Sequence, residues 1–337
     1  MPAFDPVKDS KVMKYIAPLF LRLAVTVLGF LCLAPVAQAQ TFPARPLTLV
    51  VPFPPGGSAD ILARSVAQRL SRRLDQPVVV ENKAGAGTAI GARFVAESAP
   101  DGYTLLIGTV SSHAINPALN KVGYDPVADF APVAPLVSIP FALVAHPGAP
   151  YSNLTELLAE ARRKPGSVSY ASAGAGTSNH LAGELLSIST GLKLVHVPYK
   201  GSAPALADVL GGHVPLMFDL ITTSAANVRA GKLKALAVTG LKRSPLLADT
   251  PTASESGVPG FEISAWFAVF APSKVPAPAL TRLSDEMREV LRAPDMVQSL
   301  RDLGGEPDTR SPAEFAAYVK AEVGKYASLI KNAGLAP

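Results

Sequence analysis

From Leu47 onward, short apolar runs alternate with stretches of helical periodicity, and this alternation restricts the chain to an α/β fold with a mainly parallel sheet. Residues 47–51, 78–80 and 103–107 are predicted strands, with helices over 60–74 and 90–99 between them and a loop after the third strand. The turn chemistry of Pro100-Asp101-Gly102 fits its place before that strand. The pattern resumes with a strand at 141–145, a helix at 153–164 opened by an Asn153 and Glu156 capping box, a strand at 168–171 and a helix at 179–189. Strands at 193–197, 214–218 and 235–239 then alternate with helices at 203–210 and 223–230. Two helices, 278–291 and 312–331, are predicted for the tail, the second begun by Ser311, Pro312 and Glu314.

The connection Pro52-Phe53-Pro54-Pro55-Gly56-Gly57-Ser58-Ala59-Asp60 joins the first strand to the first helix. Its glycines free the backbone to turn tightly, and the helix that follows offers unpaired N–H groups and a partial positive charge, which together suit an anion. No Lys follows the glycines and no G-x-G-x-x-G spacing occurs, so the loop is not a nucleotide phosphate cradle, and a carboxylate-sized anion fits better. A second such junction lies near 173–180, where Ala173-Gly174-Ala175-Gly176-Thr177 repeats Ala84-Gly85-Ala86-Gly87-Thr88 after a strand and before a helix. The echo fits two domains built on one plan, each presenting a helix N-terminus to a common cleft. The glycines of 85–91 miss the dinucleotide fingerprint and read as close helix–sheet packing.

Lys8, Lys11, Lys14 and Arg22 precede an apolar run over 23–36 and then Ala37-Gln38-Ala39, the pattern of an export signal cleaved after Ala39. The run is short for a membrane span, and no other stretch is long and apolar enough, so a soluble periplasmic protein is expected. Cys32, the one cysteine, lies within the signal behind Leu31, which argues against lipid anchoring and leaves the exported chain without a thiol or disulfide. Such a chain must be stabilised by its core, and its length allows two domains. Removing the signal lowers the net charge from +5 to +3, too mild a balance to suggest nucleic acid.

Enzyme signatures are missing from the sequence. There is no cysteine nucleophile after Cys32, no H-E-x-x-H helix, no G-x-S-x-G elbow, and His113, His146, His180, His196 and His213 are scattered, so no metal, cofactor or catalytic residue is expected. The rival is a periplasmic hydrolase of small esters or amides, with Ser58 or Ser178, His180 and Asp219 converging in space. A third reading has the protein act as the ligand-dependent partner of a sensor kinase.

Several segments in fixed order resemble one family over essentially the whole exported chain: Arg45-Pro46; Val50-Val51 with the Pro52–Asp60 loop; Ala63-Arg64; Val80-Glu81-Asn82-Lys83-Ala84-Gly85-Ala86-Gly87; and Asp101-Gly102-Tyr103-Thr104-Leu105-Leu106. Gly176-Thr177-Ser178-Asn179-His180-Leu181-Ala182-Gly183-Glu184, Val197-Pro198-Tyr199-Lys200-Gly201 and Ala230-Gly231-Lys232-Leu233-Lys234-Ala235-Leu236-Ala237 continue it. The family is the exported Bug-type receptors of tripartite tricarboxylate transporters. The resemblance implies a two-lobe periplasmic-binding-protein fold, type II-like, each lobe a mostly parallel sheet flanked by helices. Lobe 1 would be 40–145 plus 264–337 and lobe 2 146–263, with crossings near 144–146 and 263–266. It also implies a small carboxylate, an organic acid or acidic amino acid, captured in the cleft and delivered to a membrane permease.

In that scheme the ligand is held by backbone N–H groups, hydroxyls and water. Lobe 1 would contribute Phe53, Gly57, Ser58 and Asp60 with Thr109, Ser111 and Ser112; lobe 2 would contribute Ala173, Gly176, Thr177, Ser178, His180 and Asp219. Asp60 would cap its helix and aim the loop, and Asp219 would accept from a ligand amine or hydroxyl. Lys200 reads as a surface residue and Trp266 as packing at the hinge. The stretch 108–113 departs from a fixed family pattern, which leaves the far end of the ligand open.

Overall fold

In a computed structural model that describes residues 42–335, the strand β1 (Leu47–Val51) lies between two parallel neighbours, with every residue but Thr48 fully buried. The export signal over 1–39, its cleavage after Ala39 and Cys32 lie outside the described residues. After β1 come α1 (Ser58–Leu74), β2 (Val78–Asn82), α2 (Ala89–Ala96) and β3 (Thr104–Thr109). Residues 111–119, expected as loop, are helical instead: a wide turn over Ser111–Ile115 runs straight into α3 (Asn116–Leu119). All five residues of that turn are buried, so packing overrides the poor helix propensity of its two serines.

The sixteen-residue strand β4 (Phe130–Ala145) starts well before the predicted strand at 141. Pro132, Pro135 and Pro140 hide its first part in the sequence, because a proline donates no ladder hydrogen bond; the pairing accommodates them with register shifts at Pro132/Ala134 and Pro135/Val137. The chain continues through α4 (Leu154–Arg163), β5 (Ser169–Ser172), α5 (Ser178–Thr190), β6 (Val195–Pro198), α6 (Ser202–Leu210), β7 (Leu216–Leu220), α7 (Ile221–Arg229) and β8 (Lys234–Val238). It returns in β9 (Ser264–Pro272) and ends with α8 (Ala277–Arg292), α9 (Pro294–Asp302), β10 (Glu306–Pro307) and α10 (Pro312–Asn332). Neither β9 nor α9 is among the predicted elements. Eight of the nine β9 residues are buried, so the strand shows no polar–apolar alternation.

The parallel pairing implied by strand–helix alternation is found at β2-β1-β3 and at β6-β5-β7. The long strands add antiparallel pairs. β9 lies between β3 and β4, and β4 exchanges partners between Pro140, opposite Ser264 of β9, and Phe141, opposite Leu220 of β7. This exchange falls a few residues before the expected 144–146 crossing, because Phe141 to Ala145 are already laddered to β7 and β8. The orders β2-β1-β3-β9-β4 and β6-β5-β7-β4-β8 are then the same plan used twice, with β4 shared. A large apolar cluster fills the first half and reaches across β4, while a smaller one packs Met217, Val238 and Ile221 against Ala205 and Val209.

The caps form as their chemistry predicts. Asn153 Oδ1 accepts from the Glu156 N–H at 2.9 Å, and Ser311 and Glu314 cap each other at the start of α10. The indole of Trp266 is buried on β9, donates to Glu322 of α10 at 3.2 Å and packs on Phe315 and Tyr318, tying the last helix to the strand that returns from the second half.

Candidate functional site

Asp60 organises the first loop. It is 4% exposed; its Oδ2 accepts from the Gly56 N–H and from Arg64 Nε, each at 3.0 Å, and its Oδ1 accepts from Arg64 Nη2 at 3.0 Å and Asn82 Nδ2 at 2.9 Å. Asn82 Nδ2 also donates to the Phe53 carbonyl at 3.0 Å. Burial alone would raise the Asp60 carboxyl, but these hydrogen bonds and the Arg64 charge outweigh it and hold the group below the usual carboxylate range. Thus β2, α1 and the loop that leads from β1 into α1 are locked in one arrangement. The α1 N-cap, Gly57, has no side chain to cap the helix, and Ser58 Oγ is buried without a partner among the described residues.

The second loop, 173–177, is held from below. The Gly174 N–H donates to Ser172 Oγ at 3.0 Å, Ser172 Oγ bonds His196 Nε2 at 2.6 Å, and the Gly176 N–H donates to His180 Nδ1 at 3.4 Å. His180 and His196 stack with centroids 4.1 Å apart. Burial keeps both imidazoles below the ordinary range, His196 down to about 4 with the neighbouring His180 adding to it, while Glu184 partly opposes the fall at His180. Gly85 and Gly174 share φ near +130°, at 131° and 129°, and Gly87 and Gly176 are both left-handed, so the glycines of the repeated pentapeptide match, whereas Thr88 at +89° and Thr177 at −91° part the two backbones where each enters its helix.

The two loops meet. Ser111 Oγ, from the first half, accepts from the Ser178 N–H at 3.0 Å and donates to Ser178 Oγ at 3.3 Å, so a hydroxyl of one half caps helix α5 of the other. Three glycines permit the approach: a Cβ at Gly87 would lie 2.3 Å from the Ala175 oxygen, one at Gly176 2.6 Å from Asn116 Oδ1, and one at Gly201 2.5 Å from Pro54 Cγ.

Between the N-termini of α1 and α5 lies a cavity of about 30 Å³, lined by Phe53, Gly57, Ser58, Thr109, Ser111 and Ser178 of the expected residues and by Asn179, Ser202, Leu220, Ala265 and Phe267 beyond them. No lining residue is charged. Phe53 and Pro54 also line a second, outer chamber of about 550 Å³, walled by both pentapeptide loops and reaching Ala173 and Thr177. The packing reading of the 85–91 glycines holds for Gly91, which faces Pro52 and the Lys83 carbonyl, whereas Gly85 and Gly87 are chamber wall.

The remaining expected residues stand outside these spaces. Ser112 Oγ accepts from the Thr109 N–H at 2.9 Å and meets His113 Nδ1 at 2.9 Å, bracing the turn that carries Ser111. His113 itself is fully buried among Phe130, Trp266 and Phe270, which pushes its imidazole down to about 3. Gly176 and His180 support the second loop from behind. Asp219 is fully buried on β7, accepts from Thr223 Oγ1 at 2.6 Å, and is pushed up to about 7 by burial against the lowering pull of Thr223 and the Leu220 N–H; its Oδ1 has no partner among the described residues. The hydrolase set is therefore not assembled: Ser178 is bonded to Ser111, His180 Nδ1 to Gly176, and Asp219 to Thr223. Asn179 escaped the sequence reading although it is adjacent to Ser178; its Nδ2 donates to the Phe218 carbonyl at 2.6 Å and ties α5 to β7. Ser202 and Phe267 lie far from the loops in sequence and carried no signal.

The model of the tripartite tricarboxylate transporter family receptor matches residues 62–335. The chain belongs to that receptor family. The receptor is 37% identical over 303 residues to protein BugT of Bordetella pertussis, covering 89% of this chain and 93% of that one. Among solved structures it is similar to the periplasmic binding protein BugD, with a TM-score of 0.84 and 39% identity over 88% of this chain and 99% of the other. It is equally similar to R. palustris Rpa4515 with adipate, with a TM-score of 0.85, 39% identity and the same coverages. The two-lobe binding-protein fold and the Bug-type identification both stand, and these relatives are binding proteins, not enzymes.

Proposed function

We propose that the receptor captures a small carboxylate between its two lobes in the periplasm and delivers it to the permease of a tripartite tricarboxylate transporter. One observation carries the proposal: the inner cavity lies between two helix N-termini from opposite lobes and is lined by five hydroxyl residues, Ser58, Thr109, Ser111, Ser178 and Ser202, with no charged side chain. Such a lining suits one anionic head held by dipoles and hydroxyls. Adipate, the acid named with Rpa4515, is of the same class.

The mechanism follows from the Ser111–Ser178 contact. With the lobes together the cavity of about 30 Å³ is too small for an organic acid, so the ligand enters when they part, at a hinge formed by β4 near 140–141 and the return near 263–264. Its carboxylate takes up Ser58 Oγ on lobe 1 and the α5 N-terminus on lobe 2, where Ser111 now serves as acceptor. Closure is favoured only by contacts that the closed state adds, so both loops must engage the same ligand. Asp60 aims the first loop; Ala173, Gly176, Thr177 and His180 shape the second; with this hinge the division expected as 40–145 with 264–337 and 146–263 has its first boundary at 140–141.

The test is a thermal-shift screen of the purified protein, refolded to strip bound solute, against a panel of small acids. An acid at about a hundred times its dissociation constant should stabilise by roughly 2.7 kcal/mol, several degrees for a chain of this size. A folded protein that no acid shifts would remove the carboxylate from the proposal.

A further inference from the structure

The outer chamber has a charge pattern that the inner cavity lacks. Lys121, which follows α3 on lobe 1, and Lys200, which follows β6 on lobe 2, both line it, and no carboxylate does. Neither ammonium is hydrogen-bonded or paired with an acid among the described residues, whereas nearby Lys83 is paired with Glu81 at 2.6 Å. The other polar groups of the wall are largely committed: Asn116 Nδ2 donates to the carbonyls of Ala86 and Gly87, Asn120 donates to Asn116, and the Tyr199 hydroxyl donates to Asp208. At about 550 Å³ the chamber is of ligand size, within the roughly 300–1,000 Å³ of small-molecule pockets, while the inner cavity of about 30 Å³ admits no more than a head group.

We infer that the outer chamber is a second anion subsite in which Lys121 and Lys200 take the distal acidic group of an elongated ligand whose first carboxylate sits in the inner cavity. The inference rests on the carboxylate-capture proposal above and specifies the far end of the ligand. Phe53 and Pro54, which line both spaces, mark the place where the apolar middle of such a molecule passes. The two lysines come from opposite lobes, so closing the receptor brings two like charges to one chamber. An anion between them relieves that repulsion and adds an attraction on each side, and both effects exist only when the lobes are together. The distal group is therefore read through closure. A monocarboxylate of the same length places its head group in the inner cavity but leaves the two ammonium groups of the outer chamber unneutralised. Lys200 thus has a role that its place in an exposed Tyr-Lys-Gly turn did not suggest.

The experiment is isothermal titration of the ligand-stripped, refolded protein with linear dicarboxylates from malonate to suberate and with the monocarboxylate of each matching length, at low and high salt. At least one dicarboxylate is expected to bind roughly tenfold more tightly than its monocarboxylate match. Lys121→Gln and Lys200→Gln should each reduce that preference by about threefold and leave monocarboxylate affinity unchanged or slightly improved, and added salt should shrink the preference in the wild type. Equal binding of the two classes, or a preference that survives both substitutions, would overturn the subsite while leaving carboxylate capture standing. If no acid of either series binds the folded protein, both proposals fail.

Discussion

Asp219 shows what one buried carboxyl does to stability. Its carboxyl ionises near pH 4 in an unfolded chain, but burial raises it to about 7 in the fold. Below both values the proton is bound in either state and no penalty exists. As pH rises from about 4 to about 7, the unfolded chain releases the proton while the folded one retains it, so stability falls through that window and then levels off. Asp219→Asn, which keeps an acceptor for Thr223, should be more stable than the wild type by a margin that grows between about pH 4 and 7 to on the order of 2 kcal/mol near pH 8, measured as the difference in urea midpoint between the two proteins at each pH, in which the opposite contribution of the buried histidines cancels. A difference that does not change with pH would show that Asp219 does not titrate in this window. Ser111 makes an opposite case. Its hydroxyl is the only side chain that both accepts from and donates to Ser178 across the lobes among the described residues, so Ser111→Ala should weaken ligand binding by about 1–2 kcal/mol in calorimetry with little change in unliganded stability.

Elements position these residues through contacts that a single methyl would break. Gly201, before α6, faces Pro54 so closely that Gly201→Ala must push the first loop away or hold the lobes apart. Its φ of +139° adds strain for any residue with a Cβ. The expected result is binding weaker by at least tenfold, about 1.4 kcal/mol, with the unfolding midpoint moved by no more than a few degrees. Wild-type affinity in that variant would show that the loops need not approach this closely. The helix caps belong to the same scale: Asn153→Ala, at the start of α4, should cost about 1 kcal/mol of stability and leave binding unchanged, since the cap faces solvent away from the cleft. At this scale the sequence was legible where local chemistry acts, as in the Asn153 and Ser311 caps and the glycine loops. It was not legible at Ser111–Ile115 or along the proline-bearing β4, where burial and cross-strand partners decide the conformation.

The whole molecule couples acid sensitivity to its loops. His113, His180 and His196 are all buried enough to be kept neutral, and their protonation is far easier in the unfolded chain. As pH falls from about 6.5 toward about 4, the unfolded state takes up protons that the fold refuses, and stability is lost across that interval. Because His180 Nδ1 accepts the Gly176 N–H, charging this ring also removes a support of the second loop. Thermal midpoints and ligand affinity should therefore decline together below about pH 6. Affinity that holds constant to about pH 4.5 while the protein destabilises would show that the loop does not depend on that bond.

Read alone, the sequence determined the α/β class, most strands and helices, the two anion-directed loops and, through motifs in order, the family, because each of these is written in local periodicity, turn chemistry or contiguous residues. It also named Phe53, Gly57, Ser58, Thr109, Ser111 and Ser178, which line one cavity. Only the tertiary structure decided which other residues join them. Ala265 and Phe267 arrive on β9, Ser202 opens α6, and Lys121 and Lys200 line one outer chamber from opposite lobes, all brought together by β4 and β9 crossing between the halves. Asp219 and His180, by contrast, are committed to partners four residues away, Thr223 and Gly176. Contacts between residues a hundred or more positions apart depend on how two half-sheets share a strand, and no local pattern records that.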